Sequence, residues 1–170
     1  MKRRGFLGAL AATGFWSSVP GHAAELAPWP GWRPFVVGSE AVLRRAEAGR
    51  PFVLAFWSAD CPPCRDELAL WVKVQAGWPK LRIVLVCTDY GEDLVRAETL
   101  LAQTGAQRLE HWVFADEHAE RLRWSIDPGW RGELPMARFY DQGHRVEGHR
   151  GRLDAFALDG ILRRIIGSLK

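Results

Sequence analysis

The stretch from residue 51 to residue 70, PFVLAFWSADCPPCRDELAL, decides the fold of this chain. Residues 52–57 form a short apolar run with aromatic and β-branched side chains, which is typical of a strand buried on both faces. A polar break follows, then Cys61 and Cys64 with two prolines between them, then a helical pattern. A strand, a short loop and a Cys-x-x-Cys that opens a helix together predict dithiol redox chemistry.

The two prolines explain why a helix should begin inside this motif. Proline is tolerated in the first helical turn because the N–H that it lacks would have no partner there. Pro62 and Pro63 therefore predict a helix that starts between the two cysteines, with Cys61 at its N-terminus. The free N–H groups and the dipole at that end favour a thiolate and lower the pKa of a thiol. We expect Cys61 to be the exposed nucleophile and Cys64 the buried thiol that resolves a mixed disulfide.

Residues 56–68, FWSADCPPCRDEL, resemble the active site of the thioredoxin superfamily. The resemblance is strongest to its exported TlpA/ResA-like branch, which includes the cytochrome c maturation thioredoxins. That branch commonly has F-W-x-x-W-C-x-P-C-[RK]-x-E, and this chain departs from it at Asp60, where the family usually has tryptophan. The resemblance implies a thioredoxin-like fold and thiol–disulfide exchange with protein substrates, with Cys61 and Cys64 as the catalytic residues.

The resemblance also implies supporting roles for residues around the dithiol. Trp57 is similar to the family tryptophan that shields the disulfide, and core packing explains it equally well. Residues 132–135 are similar to the segment that carries the family's cis-proline, with one extra residue. We therefore expect a cis bond before Pro135, which would place the backbone of Leu134 beside the dithiol, where an extended substrate can pair with it.

Glu67, three residues after the second cysteine, has two interpretations. The resemblance to the ResA-like branch implies an active-site acid that tunes the dithiol, whereas its spacing alone indicates a first-turn acid favoured by the helix dipole. Ala55 stands where thioredoxin has its own buried aspartate. Proton transfer must therefore come from Glu67, from Asp60 or from water.

A metal site is the main alternative use of the two cysteines. Structural zinc needs four ligands, and the sequence has no second Cys-x-x-Cys. His144 and His149 have a ligand-like spacing, but they lie on either side of a predicted hairpin. Two thiolates do suit Cu(I), so a Cu(I)-binding metallochaperone remains the alternative function. We otherwise predict no metal ligands and no cofactor.

Two further features near a strand end have ordinary explanations. Cys87 ends an apolar run and is predicted to be a buried small hydrophobic residue. The acidic group of Asp89, Glu92 and Asp93 is expected to be a solvated turn, with selection of a basic partner as the alternative.

The first 24 residues have the features of an export signal. A basic start at residues 2–4 precedes an apolar stretch, residues 6–16, which is too short to span a bilayer, and small residues predict cleavage near Ala23. Residues 3–7, RRGFL, resemble a twin-arginine signal, and an ordinary secretory signal is the alternative. We expect a signal peptide at 1–24, an irregular arm at 25–35, a thioredoxin-like domain at 36–170 and a periplasmic location.

The charge balance excludes one class of partner. The full chain has 23 Lys+Arg against 20 Asp+Glu, and removal of the three basic residues at positions 2–4 leaves 20 against 20. Nothing therefore supports nucleic-acid binding. The family resemblance implies instead that the protein reduces cysteine-containing exported proteins, such as apocytochrome c or copper-site proteins. It also implies recharging by a membrane electron donor of the DsbD/CcdA type.

The rest of the chain alternates predicted strands and helices and then ends in a hairpin and a helix. The predicted strands are 36–37, 52–57, 81–87, 111–114, 136–140 and 145–149, and the predicted helices are 40–48, 64–76, 91–104, 117–124 and 154–166. This order predicts an α/β protein with a mixed sheet flanked by helices on both faces. Ser39 is the expected N-cap of the first helix, and Phe156 is expected to face the core from the last one.

Overall fold

The computed structural model of the protein describes residues 31–167. The predicted export signal and most of the predicted arm lie outside the described residues. The strands are β1 Arg33–Phe35, β2 Phe52–Trp57, β3 Arg82–Cys87, β4 Glu110–Phe114, β5 Met136–Tyr140 and β6 Val146–Arg150. The helices are α1 Ser39–Ala46, α2 Pro62–Gly77, α3 Asp93–Thr104, α4 Ala119–Ile126 and α5 Ala155–Ile166.

The strands form one mixed sheet in the order β1-β4-β3-β2-β5-β6. Strands β1 to β4 pair in parallel, β5 runs antiparallel to β2, and β6 runs antiparallel to β5. The parallel strands end at one edge of the sheet, and the loop after β2 at that edge leads directly into Cys61. The predicted mixed sheet with helices on both faces is confirmed.

The central strand β2 is buried along its whole length, as its composition predicts. Alternate residues of β2 contribute to two separate hydrophobic clusters, one on each face of the sheet. Helices α2, α3 and α5 cover one face, and α1 and α4 cover the other. The dithiol therefore lies at the end of the best-buried strand, where the backbone has little freedom to move.

The first strand is not where the sequence predicted it. Strand β1 covers Arg33–Phe35, inside the predicted irregular arm, whereas Val36 and Val37 are exposed. The ring of Phe35 contacts Phe56 and Phe114 at centroid distances of 5.8 and 6.0 Å. This aromatic contact fixes the register of β1 against β4. Because the contacting residues are far apart in the chain, the sequence around β1 contains no pattern that predicts the strand.

Two helix predictions also need correction. Ser39 is the first residue of α1 and not its N-cap, and its hydroxyl accepts a hydrogen bond from the Val36 N–H at 2.9 Å. In α5, the side chain of Phe156 is 90% exposed instead of facing the core. It lies on the helical face of the exposed Asp159–Arg163 ion pair, since residues three and seven positions apart share a face. Leu158 is buried in its place.

No helix among residues 31–167 is both long enough and apolar enough to cross a lipid bilayer.

Candidate active site

Cys61 and Cys64 form a disulfide at the beginning of α2. Cys61 is the N-cap residue, Pro62 and Pro63 occupy the first turn, and the Cα atoms of the two cysteines are 5.3 Å apart. The predicted helix start between the cysteines is confirmed. Cys61 is 9% exposed and Cys64 is 0% exposed, so the expected order of accessibility is present, but in the disulfide even Cys61 is nearly buried.

The peptide bond between Leu134 and Pro135 is cis, as predicted. Pro135 lines a small cavity together with Cys64, and Leu134 packs against both hydrophobic clusters. The preceding loop is held by two hydrogen bonds: the Trp130 indole donates to the carbonyl of Glu133 at 2.9 Å, and the Arg131 N–H donates to the Glu133 carboxylate at 2.9 Å. The chain thus places this segment against the inner cysteine.

Glu67 is buried beside the disulfide. Its side chain is 4% exposed and lines the same cavity, whose volume is about 10 Å³. Burial raises the pKa of Glu67 to about 7, against the opposing effect of hydrogen bonds from Trp71 and from the Leu153 backbone. Its Oε2 atom has no hydrogen-bond partner among the described residues. Because α2 begins at Pro62, Glu67 lies beyond the first turn, so the interpretation as a first-turn acid is wrong.

Trp57 packs in the core, as one of its two interpretations predicted. It is almost completely buried and its ring stacks on Trp32, with centroids 6.5 Å apart, so it is part of the core. It also lines the cavity beside Cys64. Its indole N–H has no partner among the described residues, as is the case for Glu67 Oε2 in the same cavity.

The cavity lies between the inner cysteine, Glu67 and the cis-proline. Its lining comes from β2, α2, β3 and the cis-proline segment: Ala55, Phe56, Trp57, Cys64, Glu67, Leu68, Trp71, Leu85 and Pro135. A volume of about 10 Å³ is the space that one water molecule needs. The Glu67 carboxyl, which lines this space together with Cys64, can therefore exchange a proton with the inner cysteine through a single water, whereas the Trp57 indole N–H can only donate a hydrogen bond.

Asp89 holds the loop that leads into the first cysteine, a role the sequence analysis missed. Its carboxylate accepts from the Ser58 hydroxyl at 2.6 Å and from the Ala59 N–H at 2.7 Å. The thiol of Cys87 lies 3.4 Å from the same carboxylate. Asp89 is therefore not part of a solvated turn. The parallel strands β2 and β3 end side by side, so Ser58 and Asp89, which each follow one of these strands, could have been paired from the topology.

Asp60, which replaces the usual family tryptophan, makes an ion pair instead. Both of its carboxylate oxygens accept from Arg96, at 2.6 and 2.9 Å, and Arg96 also bonds to Asp93 at 2.8 Å. Both partners are exposed. Asp60 does not line the cavity beside Cys64, so among the three proton acceptors that the sequence left open the geometry favours Glu67 and water.

Cys87 is completely buried, as predicted. Burial, and then the charge of Asp89, raise the pKa of its thiol well above the ordinary value, which makes it unreactive. His144 and His149 each contact a backbone carbonyl of the chain. Within residues 31–167, no group of three or more His, Cys, Asp or Glu side chains could hold a metal ion.

Solved structures with the same architecture include bacterial disulfide oxidoreductases. No protein-family model matches the sequence, and no curated protein matches it either. MTB dsbF is 19% identical, with a TM-score of 0.60 over 71% of this chain and 84% of that one. A secreted Mycobacterium tuberculosis disulfide oxidoreductase homologous to E. coli DsbE is 17% identical, with a TM-score of 0.58 over 71% and 85%.

A thiol:disulfide interchange protein of the thioredoxin family from Chlorobium tepidum is 20% identical, with a TM-score of 0.61 over 73% of this chain and 85% of that chain. Identities this low establish architecture and leave the activity to be inferred from the site. The sheet order, the disulfide at the start of α2 and these similarities show that the chain has the thioredoxin fold.

Proposed function

We propose that this protein is a thiol–disulfide oxidoreductase that acts on cysteine-containing proteins. The observation that carries the proposal is the Cys61–Cys64 disulfide at a helix N-terminus, with a buried carboxyl and a cis-proline at the inner cysteine. A structural disulfide needs neither of these neighbours. A pair that opens and closes needs a group that handles the proton of the buried thiol.

The exchange proceeds in two balanced steps. In the reduced protein, the Cys61 thiolate attacks one sulfur of a substrate disulfide, so that a mixed disulfide forms and the other substrate sulfur leaves as a thiolate. Cys64 then loses its proton and attacks the Cys61 sulfur, which breaks the mixed disulfide and releases the second substrate thiolate. The substrate gains two electrons and two protons, and the protein dithiol becomes the Cys61–Cys64 disulfide.

Glu67 is the proposed proton acceptor for the second step. A carboxyl with a pKa of about 7 is partly ionised at neutral pH, so it can take a proton from Cys64 and return it in the reverse direction. The cavity that both side chains line has room for one bridging water. Trp57, Pro62 and Pro63 support this arrangement by closing the cavity and by starting the helix at Cys61.

Substrate binding is assigned to the backbone of Leu134, with Pro135 holding it in place. An extended substrate would add as a short strand beside this residue, whose neighbour Pro135 lines the same cavity as Cys64. A main-chain contact of this kind accepts many sequences. It therefore suits exchange with several proteins and leaves selectivity to other surfaces.

We further propose that the protein is exported, works in the periplasm and acts as a reductant. One similar solved structure is described as a secreted disulfide oxidoreductase homologous to DsbE, which supports export. The exported proteins that it reduces would include apocytochrome c or copper-site proteins, and a membrane donor of the DsbD/CcdA type would return its two electrons.

Trapping of substrates tests the proposal. Cys64→Ser can attack but cannot resolve, so it should accumulate mixed disulfides with proteins of a periplasmic extract, whereas Cys61→Ser should accumulate none. The dithiol potential, measured against glutathione, sets the direction of transfer. If Cys64→Ser captures nothing and the reduced wild type instead binds one Cu(I) tightly, the protein is a metallochaperone and the exchange proposal fails.

A further inference from the structure

An open groove of about 530 Å³ runs along α4, beside the loop that leads to the cis-proline. Its lining residues are Glu120, Arg121, Arg123, Trp124, Trp130 and Arg131. None of them belongs to the dithiol site. Volumes in this range are typical of binding clefts, and an open cleft suits a polypeptide better than an enclosed small molecule.

One wall of the groove is an indole in contact with solvent. Trp124 is 64% exposed, although tryptophan is normally buried against other apolar groups. The neighbouring Trp130 shows the contrast, because it is buried with its ring 4.9 Å from Phe56 and 6.2 Å from Phe114. Tryptophan and arginine, together with tyrosine, are the residue types enriched among the dominant contacts of protein interfaces.

The groove also carries positive charge that the described residues leave uncompensated. Arg121 pairs with Asp116 at 2.9 Å. Arg123 and Arg131 form no ion pair within 4.0 Å with a carboxylate of residues 31–167. The Arg131 guanidinium donates to the Pro128 carbonyl at 3.2 Å, while its backbone N–H donates to the Glu133 carboxylate at 2.9 Å. Glu120 is the lining carboxylate. The groove lining therefore holds two guanidinium groups without an ion-pair partner, those of Arg123 and Arg131, against one lining carboxylate, with the Glu133 carboxylate beside Arg131.

The groove borders the loop that precedes the proposed substrate-binding segment, Leu134 and Pro135. Trp130 and Arg131 line the groove, and both are hydrogen-bonded to Glu133, directly before the cis Leu134–Pro135 bond. Trp130 also packs on Phe56, the residue that precedes Trp57 in β2. One rigid connection thus joins the groove to the cavity beside Cys64.

We propose that this groove binds an acidic segment of the substrate protein, next to the disulfide that undergoes exchange. Carboxylates of that segment bond to Arg123 and Arg131, and an apolar side chain covers Trp124. The proposal rests on the oxidoreductase function and adds the substrate class. The main chain at Leu134 accepts any extended segment, and the groove selects the acidic ones.

A matched pair of peptides tests this directly. Both contain the same disulfide; one has several glutamates on the flank, and the other has glutamines at those positions. The reduced full chain should react about tenfold faster with the glutamate peptide, the value of one charge-assisted contact. High salt should shrink that ratio, because screening weakens exposed ion pairs.

Substitutions of the groove residues test whether they cause the preference for the glutamate peptide. Arg123→Gln combined with Arg131→Gln should bring the ratio close to one, and Glu120→Gln should raise it. The control, Lys73→Gln combined with Lys80→Gln, removes the same charge from exposed positions outside the groove lining and should leave the ratio at its wild-type value. Because each ratio compares two peptides on one protein, partial loss of folding does not imitate the result.

Three outcomes would overturn the proposal. A wild-type ratio near one would do so, as would an equal loss of the ratio in the lysine control, which would indicate a general field effect. Binding of anionic phospholipid vesicles through Arg123 and Arg131, without peptide preference, would assign the surface to a membrane. Reduction of the neutral compound bis(2-hydroxyethyl) disulfide distinguishes failure of the groove proposal from failure of the proposed oxidoreductase function. If the protein reduces this compound but shows no peptide preference, only the groove proposal fails. If the protein does not reduce it, the oxidoreductase function fails as well.

Discussion

Two buried glutamates at opposite ends of the sheet have opposite surroundings. Glu47, 6% exposed, lies where the parallel strands begin, and its carboxylate bonds to Arg82 at 2.8 Å and to Arg50 at 3.2 Å. Arg82 also bonds to Glu110 through two contacts of 2.8 Å. Glu67, 4% exposed, lies where those strands end, and it has one oxygen without a partner among the described residues.

The difference separates a structural carboxylate from one that can change its charge. A buried carboxylate that faces a guanidinium is held in an ion pair, and removal of the guanidinium leaves a buried group without its partner. A buried carboxylate without a cation gains stability when it is protonated, so its pKa moves toward neutral pH. One end of the sheet therefore has a carboxylate held in ion pairs, and the other end, where the cysteines are, has a carboxyl group that can titrate.

Arg82→Met is the substitution for which we expect the largest loss of stability, because it removes the ion-pair partner of Glu47. This change removes the shared cation and leaves Glu47 and Glu110 facing each other, so we expect the free energy of unfolding to fall by about 4 kcal/mol. Urea denaturation at neutral pH measures it. Arg33→Met is the matched control, because Arg33 contacts the same Glu110 from an exposed position, and it should cost less than about 1 kcal/mol. Equal losses in both variants would show that Glu47 is not dependent on its partner.

Glu67→Gln should instead increase the free energy of unfolding at high pH. The folded-state pKa of Glu67, about 7, lies above its ordinary value of 4.5, so the folded chain holds the proton more tightly than the unfolded one. Stability from this group is fully present below pH 4.5 and is lost as the pH rises through 7. As the pH rises from 4.5 through 7, the free energy of unfolding of the wild type should therefore fall by at most about 3 kcal/mol relative to that of Glu67→Gln.

The measurement is the difference in unfolding free energy between wild type and Glu67→Gln across this pH range. The two proteins should be equally stable near pH 4 and diverge toward pH 8, where the variant is the more stable. The same variant should lose any break near pH 7 in the rate of disulfide exchange, since glutamine cannot accept the proton of Cys64. A pH-independent difference would mean that Glu67 does not titrate in this range.

Asp89 tests an intermediate case, a half-buried carboxylate held by uncharged donors. Asp89→Ala leaves the Ser58 hydroxyl and the Ala59 N–H without their acceptor, which should cost about 2 kcal/mol. Asp89→Asn keeps one acceptor oxygen and should cost less. Urea denaturation of both variants checks the order. If Asp89→Asn is as damaging as Asp89→Ala, the negative charge matters more than the two hydrogen bonds.

Local patterns were sufficient wherever a feature depended on neighbouring residues. Strand β5 was predicted with its observed bounds, because a proline precedes it and a glycine-containing turn follows it. The start of α2 followed in the same way from two prolines. The dithiol followed from its own motif, whereas the cis bond before Pro135 and its placement beside the dithiol were expected from the family resemblance.

Features that depend on distant contacts could not be predicted in this way. Glu67 was ambiguous because helical spacing does not reveal whether the next layer covers that side chain. Glu47 attracted no attention, since its partner Arg82 is 35 positions away. Phe156 was assigned to the core because it is apolar, although the face that it shares with an ion pair places it in solvent. Burial of single side chains is decided by tertiary packing, which the sequence shows only indirectly.

Of the substitutions proposed, Asp60→Asn is expected to change the free energy of unfolding least. Asp60 has a guanidinium partner, as Glu47 does, and its contacts with Arg96 are as short, at 2.6 and 2.9 Å. Both side chains are exposed, so water replaces most of the lost attraction. We expect an unfolding midpoint in urea that is hardly changed at low salt and indistinguishable from wild type at high salt. A loss comparable to that of Arg82→Met would mean that distance, and not burial, decides what a carboxylate–arginine pair contributes here.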